Sequence, residues 1–238
     1  MTKLSVNINK FATLRNSRGG NNPDVVKAAV DAQRFGAQGI TVHPRPDERH
    51  IRYQDVMDLK PVITTEFNIE GYPDKRYMDI ISRVKPDQAT LVPDPPDALT
   101  SNAGWDTVNN QSLLKELTAE LKEKGVRVSL FIDPDEKMVE GAILAGVDRV
   151  ELYTEPYALN FQSDAEKSVK PYVRCAELCR KAGLGINAGH DLDLENLSFL
   201  IEKIPYIDEV SIGHALICDA LYFGFENTIQ LYLNQLRH

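Results

Sequence analysis

This sequence is short of the features that point outward from a cell. Its 238 residues hold three cysteines and one tryptophan. Cys175, Cys179 and Cys218 are an odd set with no paired spacing, which excludes a disulfide scaffold and fits a reducing compartment. Positive charge is scarce: 27 Lys and Arg stand against 35 Asp and Glu, a net −8 at pH 7. Such a chain has no broad attraction for nucleic acid. It can hold a phosphate only with local arginines and helix N-termini. No apolar run approaches the ~18 residues that would make a membrane span a candidate. The opening Met1-Thr2-Lys3-Leu4-Ser5-Val6 enters a strand-like pattern with no signal-peptide core, so a cytoplasmic location is expected.

What is present is a regular alternation. Short β-branched runs at 4–8, 39–43, 62–68, 88–92, 126–132, 149–153, 184–188 and 209–212 predict eight strands. Between them lie helical patterns at 25–35, 53–59, 74–84, 110–124, 136–145, 194–203 and from 213 to 236. A long helix capped by Ser163 or Asp164 runs to about residue 181. Gly146 and Gly183 close two of these helices. Neither a linker nor a composition break divides the chain. The pattern is that of one (β/α)8 barrel over residues 1–238, an α/β TIM barrel. A doubly wound open sheet is the alternative, weakened because no Gly-rich dinucleotide fingerprint follows the first strand. Cys175 and Cys179, four apart on a helix, read as packing residues.

Barrel catalysis belongs at the C-terminal strand ends. Those ends carry Asn7, His43, Glu70, Asp133, Glu151, His190 and His214. Four of the five histidines fall at or just after such an end. His43, Glu70 and His190 are three proton carriers from three separate strands, a set suited to repeated proton transfer. The same trio is also a conceivable metal set of two histidines and a carboxylate, which Asp133 and Glu151 would enlarge. Those two acids equally suit structural roles. Gly213 sits where the eighth strand turns into a helix, either as a phosphate-binding turn or as a tight turn alone. Arg15 and Arg18 add donors beside the first strand. Their plainer readings are a solvated loop and a helix-end contact. A loop at 93–105, rich in Pro, Asp, Thr and Asn, is too long for a plain connection.

Several segments together resemble the pyridoxine 5'-phosphate synthase family. They are Asn7-Ile8, Ala12-Thr13-Leu14-Arg15-Asn16-Ser17-Arg18-Gly19, Gly39-Ile40-Thr41-Val42-His43-Pro44-Arg45, Ser129-Leu130-Phe131-Ile132-Asp133, Asn187-Ala188-Gly189-His190 and Ile212-Gly213-His214-Ala215. The resemblance runs in order from end to end. It implies a (β/α)8 barrel with additional helices and a homo-octamer built as a tetramer of dimers. It implies two small phosphorylated substrates and neither metal nor organic cofactor. The implied reaction joins 1-deoxy-D-xylulose 5-phosphate and 3-amino-2-oxopropyl phosphate into pyridoxine 5'-phosphate, releasing phosphate and water. By resemblance His43 and Glu70 are general bases and His190 is the general acid. Arg45, His50 and Thr100 would hold the deoxyxylulose phosphate. Asn7, Arg18, Gly213 and His214 would hold the amino-ketone phosphate, and Asp191 would be a further substrate ligand through its backbone N–H. The sequence departs from the family at Asn9-Lys10, at Asp191 and in the loop at 99–106. A metal-dependent sugar-phosphate epimerase or aldolase on the same barrel is the rival enzyme reading, and a non-catalytic phosphate-binding protein is the other.

Overall fold

A computed structural model describes residues 1–94 and 103–237. Eight parallel strands close into a barrel in chain order, β1 against β8. They are β1 (Lys3–Asn7), β2 (Gly39–Val42), β3 (Glu66–Gly71), β4 (Gln88–Leu91), β5 (Arg127–Ile132), β6 (Arg149–Tyr153), β7 (Gly185–Gly189) and β8 (Glu209–Ile212). The helices are α1 (Asn9–Asn16), α2 (Val25–Arg34), α3 (Tyr53–Leu59), α4 (Lys75–Val84), α5 (Gln111–Glu123), α6 (Glu136–Ala145), α7 (Glu155–Ala182), α8 (Leu197–Lys203), α9 (His214–Phe223) and α10 (Phe225–Gln235).

Local chemistry fixes many of the boundaries. Asp24, Asp74 and Asp135 cap α2, α4 and α6 by accepting from the Lys27, Tyr77 and Lys137 amides. Gly146 and Gly183 end α6 and α7 in the left-handed conformation. Three sequence expectations need correction. Residues 62–65 are not strand: the Gln33 carboxamide accepts from the Thr64 and Thr65 amides and holds them as a loop. The long helix begins earlier, at Glu155, and kinks at Asp164, whose carboxylate still caps the second half through the Lys167 amide. The last helical stretch is two helices broken at Gly224.

Each strand has two buried faces, as a helix-covered parallel sheet requires. The outward face is apolar: Leu4, Val6, Ile40, Val42, Ile69, Leu91, Val128, Leu130, Val150, Leu152, Val210 and Ile212 belong to one core with the helices. The inward face is polar, where barrels are ordinarily filled by branched apolar side chains. Ser5 bonds Thr41 at 2.7 Å, and Thr90 donates to Asn68 at 2.9 Å. Asn187 on β7 reaches Gln88 on β4, across the barrel, at 3.5 Å. Side chains alternate along a strand, so a residue two positions further on faces the barrel mouth. Moving two residues up from Ser5, Thr41, Asn68, Thr90, Ser129, Glu151, Asn187 and Ser211 gives Asn7, His43, Glu70, Val92, Phe131, Tyr153, Gly189 and Gly213. Six of these eight, Asn7, His43, Glu70, Val92, Phe131 and Gly213, line the site.

Candidate active site

Those six residues, with Glu151 and Ser211 from the layer below, line a cavity of about 640 Å3 at the C-terminal ends of the strands. That volume lies in the range of small-molecule sites. Its lining includes Asn7, His43, Arg45, His50, Glu70, Glu151, His190, Asp191, Gly213 and His214, so most of the residues expected from sequence come together. Arg18 does not: it lies exposed in the turn after α1, away from the cavity lining. Thr100 lies outside the described residues. Asp133 accepts from the Gly104 amide at 3.2 Å and anchors a loop, a structural role.

His43 and Glu70 form the centre. The imidazole Nδ1 lies 3.8 Å from a Glu70 carboxylate oxygen, and both side chains are nearly buried. Burial, then repulsion from the Arg45 and Arg49 charges and from His50 whenever it is protonated, holds the His43 pKa well below its ordinary value. The ring is therefore a neutral base at pH 7. Burial moves Glu70 the other way, up to about 8, with help from the Asp94 and Glu209 carboxylates and against Arg45. A neutral imidazole beside a protonated carboxyl can take and give protons without building net charge. One layer lower, Glu151 is also pushed well up by burial and by Glu70, and its Oε2 has no hydrogen-bond partner among the described residues. Gly189 makes room for it: a Cβ there would stand 2.3 Å from Glu151 Oε1.

One side of the cavity is built by the loop after β2. Arg45 is almost fully buried and paired with Asp94 at 2.5 Å. His50 Nδ1 accepts from the Ile51 amide at 2.9 Å, so its proton resides on Nε2. Its pKa is lowered to about 4, first by burial and then by Arg45, Lys10 and Arg49. His50 is thus a neutral donor in a positive surround. The loop is tied down by α1, a helix absent from the sequence expectation. Arg15 is 1% exposed and makes a bidentate pair with Asp55 on α3 at 2.6 and 2.8 Å, which overturns its reading as a solvated residue. Asn16 donates to the carbonyls of Glu48, Arg49 and His50. Asn9 accepts from the His43 amide at 3.0 Å and so holds the His43 segment directly.

Opposite stands the N-terminus of α9. Gly213 is its N-cap, and a Cβ there would press Asn7 at 3.1 Å. Backbone N–H groups of a first helical turn suit an anionic oxygen. Asn7 is turned onto its own chain, accepting from the Asn9 amide at 3.0 Å. His190 packs edge-on to Tyr153 with ring centres 5.1 Å apart. Among the described residues, the side chains whose ligand atoms all fall within 4.8 Å of one another are Glu155, His190 and Asp191, not His43, Glu70 and His190. Asn9 and Lys10, the pair that departs from the family, line the cavity, as do Thr13, Arg49, Glu155 and Ser211, which the sequence did not single out as ligands. Ser211 had a usable signal, since it lies two residues before Gly213 on the inward face.

The family model described as "Pyridoxal phosphate biosynthesis protein PdxJ" matches residues 4–238. A protein of Cytophaga hutchinsonii named pyridoxine 5'-phosphate synthase is 64% identical over the full length of both chains. One of the same name from Phocaeicola vulgatus is 60% identical, again over 100% of both. Among solved structures, a mutant tryptophan synthase α-subunit from Pyrococcus furiosus superposes with a TM-score of 0.66 at 13% identity, covering 98% of each chain. Phosphoribosyl anthranilate isomerase from Thermotoga maritima gives 0.61 at 12%, covering 99% of this chain and 98% of the other. Those two likenesses establish the barrel and nothing further.

Proposed function

The chain belongs to the PdxJ family of pyridoxal phosphate biosynthesis proteins, and from that membership we propose how its cavity works as a pyridoxine 5'-phosphate synthase. The amine of 3-amino-2-oxopropyl phosphate condenses with the ketone of 1-deoxy-D-xylulose 5-phosphate and loses water. Loss of phosphate, addition of water and an aldol-type closure that expels two further waters complete the aromatic ring, so phosphate and two waters leave overall. Every step moves protons between carbon, nitrogen and oxygen. The observation that carries the assignment is the pairing of His43 and Glu70 at 3.8 Å, with burial holding one neutral as a base and lifting the other to about 8. Such a pair exchanges protons in either direction near neutral pH. His190, across the cavity, is the acid that serves departing oxygen.

Two phosphates need two anion sites. We assign the deoxyxylulose phosphate to the Arg45 and His50 side, with Thr100 expected to join it. The amino-ketone phosphate goes to the first turn of α9, with Asn7, Gly213, His214 and the Asp191 backbone. Holding both substrates in one enclosed cavity converts a two-body condensation into an intramolecular one. The steps require acids and bases, and we assign them no metal and no organic cofactor. We also propose a cytoplasmic homo-octamer of four dimers. Its support is the apolar surface of α9, where Leu221, Tyr222 and Phe223 are 75, 86 and 51% exposed. Among the described residues no helix is long and apolar enough to cross a membrane.

The test is turnover of both substrates in the presence of a chelator, following pyridoxine 5'-phosphate absorbance and phosphate release together. Equal amounts of the two products establish the reaction. Folded protein that binds phosphate but forms neither product overturns it. Activity that disappears with a stoichiometric divalent metal would favour the epimerase or aldolase reading instead.

A further inference from the structure

We propose that Asp191 is a positioning residue for His190, holding the Nδ1 proton so that His190 exchanges its proton with substrate through Nε2. The inference rests on the reading of His190 as the general acid. Asp191 Oδ2 lies 2.5 Å from His190 Nδ1. The contact is made by an unusual backbone: His190 and Asp191 stand in succession at φ 85° and 58°. Non-glycine residues occupy that region at a cost and persist there only where neighbours impose it.

The neighbours do impose it. The Thr154 hydroxyl, fully buried, donates to the carbonyls of both Gly189 and His190, at 2.6 and 2.5 Å. The buried Asn196 carboxamide donates to the Asp191 carbonyl at 3.2 Å. Asn196 is itself fixed, its amide donating to Asp193 at 2.9 Å and its carbonyl accepting from Tyr157 at 2.6 Å. The turn is thus clamped from β6 through Thr154 and from the start of α8 through Asn196. Tyr153 packs edge-on against the imidazole. The turn brings a carboxylate onto one ring nitrogen, and a carboxylate there selects the tautomer and fixes the ring plane. Hydrogen bonding to His190, ahead of the more distant positive groups, holds the Asp191 carboxyl below its usual range. The other titratable groups facing this pair are Lys10 from α1, Glu151 from β6, Glu155 from α7 and His214 from α9.

Asp191→Asn and Asp191→Gly remove the charge while keeping a residue that tolerates the left-handed backbone. Both are compared with wild type for kcat, KM and the pH profile of kcat, and 15N NMR of the imidazoles reads the His190 tautomer. The proposal expects kcat to fall about tenfold or more in both, with KM within about twofold, and the Nδ1-protonated form of His190 to be lost. Turnover within about twofold of wild type in both variants overturns it. So does a fall in kcat with the tautomer unchanged, which would place Asp191 on substrate instead. His190→Ala separates the two readings. If that variant turns over normally the general-acid role falls, while the tautomer in wild type and Asp191→Asn still decides the positioning role.

Discussion

Substituting Asp55 by alanine perturbs the anchor beneath the loop that carries Arg49 and His50. Asp55 accepts two hydrogen bonds from Arg15, and its Oδ2 also accepts from the Arg52 amide at 2.7 Å, capping α3. In Asp55→Ala the buried Arg15 guanidinium keeps only neutral acceptors, Asn16 Oδ1 at 3.0 Å and the His50 carbonyl at 3.2 Å. An uncompensated buried charge costs about 3–5 kcal/mol, and the lost cap adds about 1 kcal/mol. For a chain of this size each kcal/mol lowers Tm by about 2–4 °C, so a fall of roughly 8–24 °C follows. Thermal and urea unfolding measure it. The double variant Arg15→Met/Asp55→Leu removes both charges, and it should recover at least about 2 kcal/mol of the single-variant loss. Steady-state kinetics on Asp55→Ala should show KM for the deoxyxylulose phosphate rising, because the carbonyls of residues 48–50 are held from the same end of α1. A loss below about 1 kcal/mol in Asp55→Ala, or a double variant no better than the single, would refute the reasoning.

Three further outcomes follow. Gly189→Ala puts a Cβ 2.3 Å from the Glu151 carboxylate, so β7 or Glu151 must shift. A loss of about 1–3 kcal/mol in thermal melts is expected, and an unchanged Tm would mean the approach is looser than drawn. Stability should respond to pH from both sides. His50 is lowered to about 4 in the fold, so the unfolded chain binds more protons between about 4 and 6.5, and stability falls as pH is lowered through that window. Glu70 is raised to about 8, so the folded chain holds more protons from about 4.5 upward, and stability falls as pH rises towards 8. His50→Gln should flatten the acid limb of a Tm-against-pH curve and Glu70→Gln the alkaline limb; unaltered limbs would contradict those shifts. Tyr222→Lys should reduce the assembled mass in light scattering, and an intact octamer would remove α9 from the interface.

The sequence displays the barrel because its outward strand residues are apolar and its helices carry local caps. β6, β8, α3 and α6 match their expected bounds residue for residue. The strand ends were legible for the same reason, and so His43, Glu70, His190 and Gly213 could be picked out before any coordinates. The misses are tertiary. Helix α1 buries Ala12 and an arginine, lacks a side-chain cap and has no acidic residue in its first turn, so no periodic signal marks it. The counter-ion that lets Arg15 be buried lies 40 positions away. Residues 62–65 look like strand, and only Gln33, some 30 residues earlier, makes them a loop. Asp191 is expected from the resemblance only as a substrate ligand, and its contact with His190 shows once the left-handed turn is seen.

The proposed function depends on His43, Glu70 and His190 moving protons in one cavity. The measurement that tests it most directly is kcat for His43→Ala, Glu70→Gln and His190→Ala, each alongside a thermal melt. Each should lose about a hundredfold or more in turnover while remaining folded. Turnover near wild type in all three would contradict the account and place the chemistry elsewhere on the barrel.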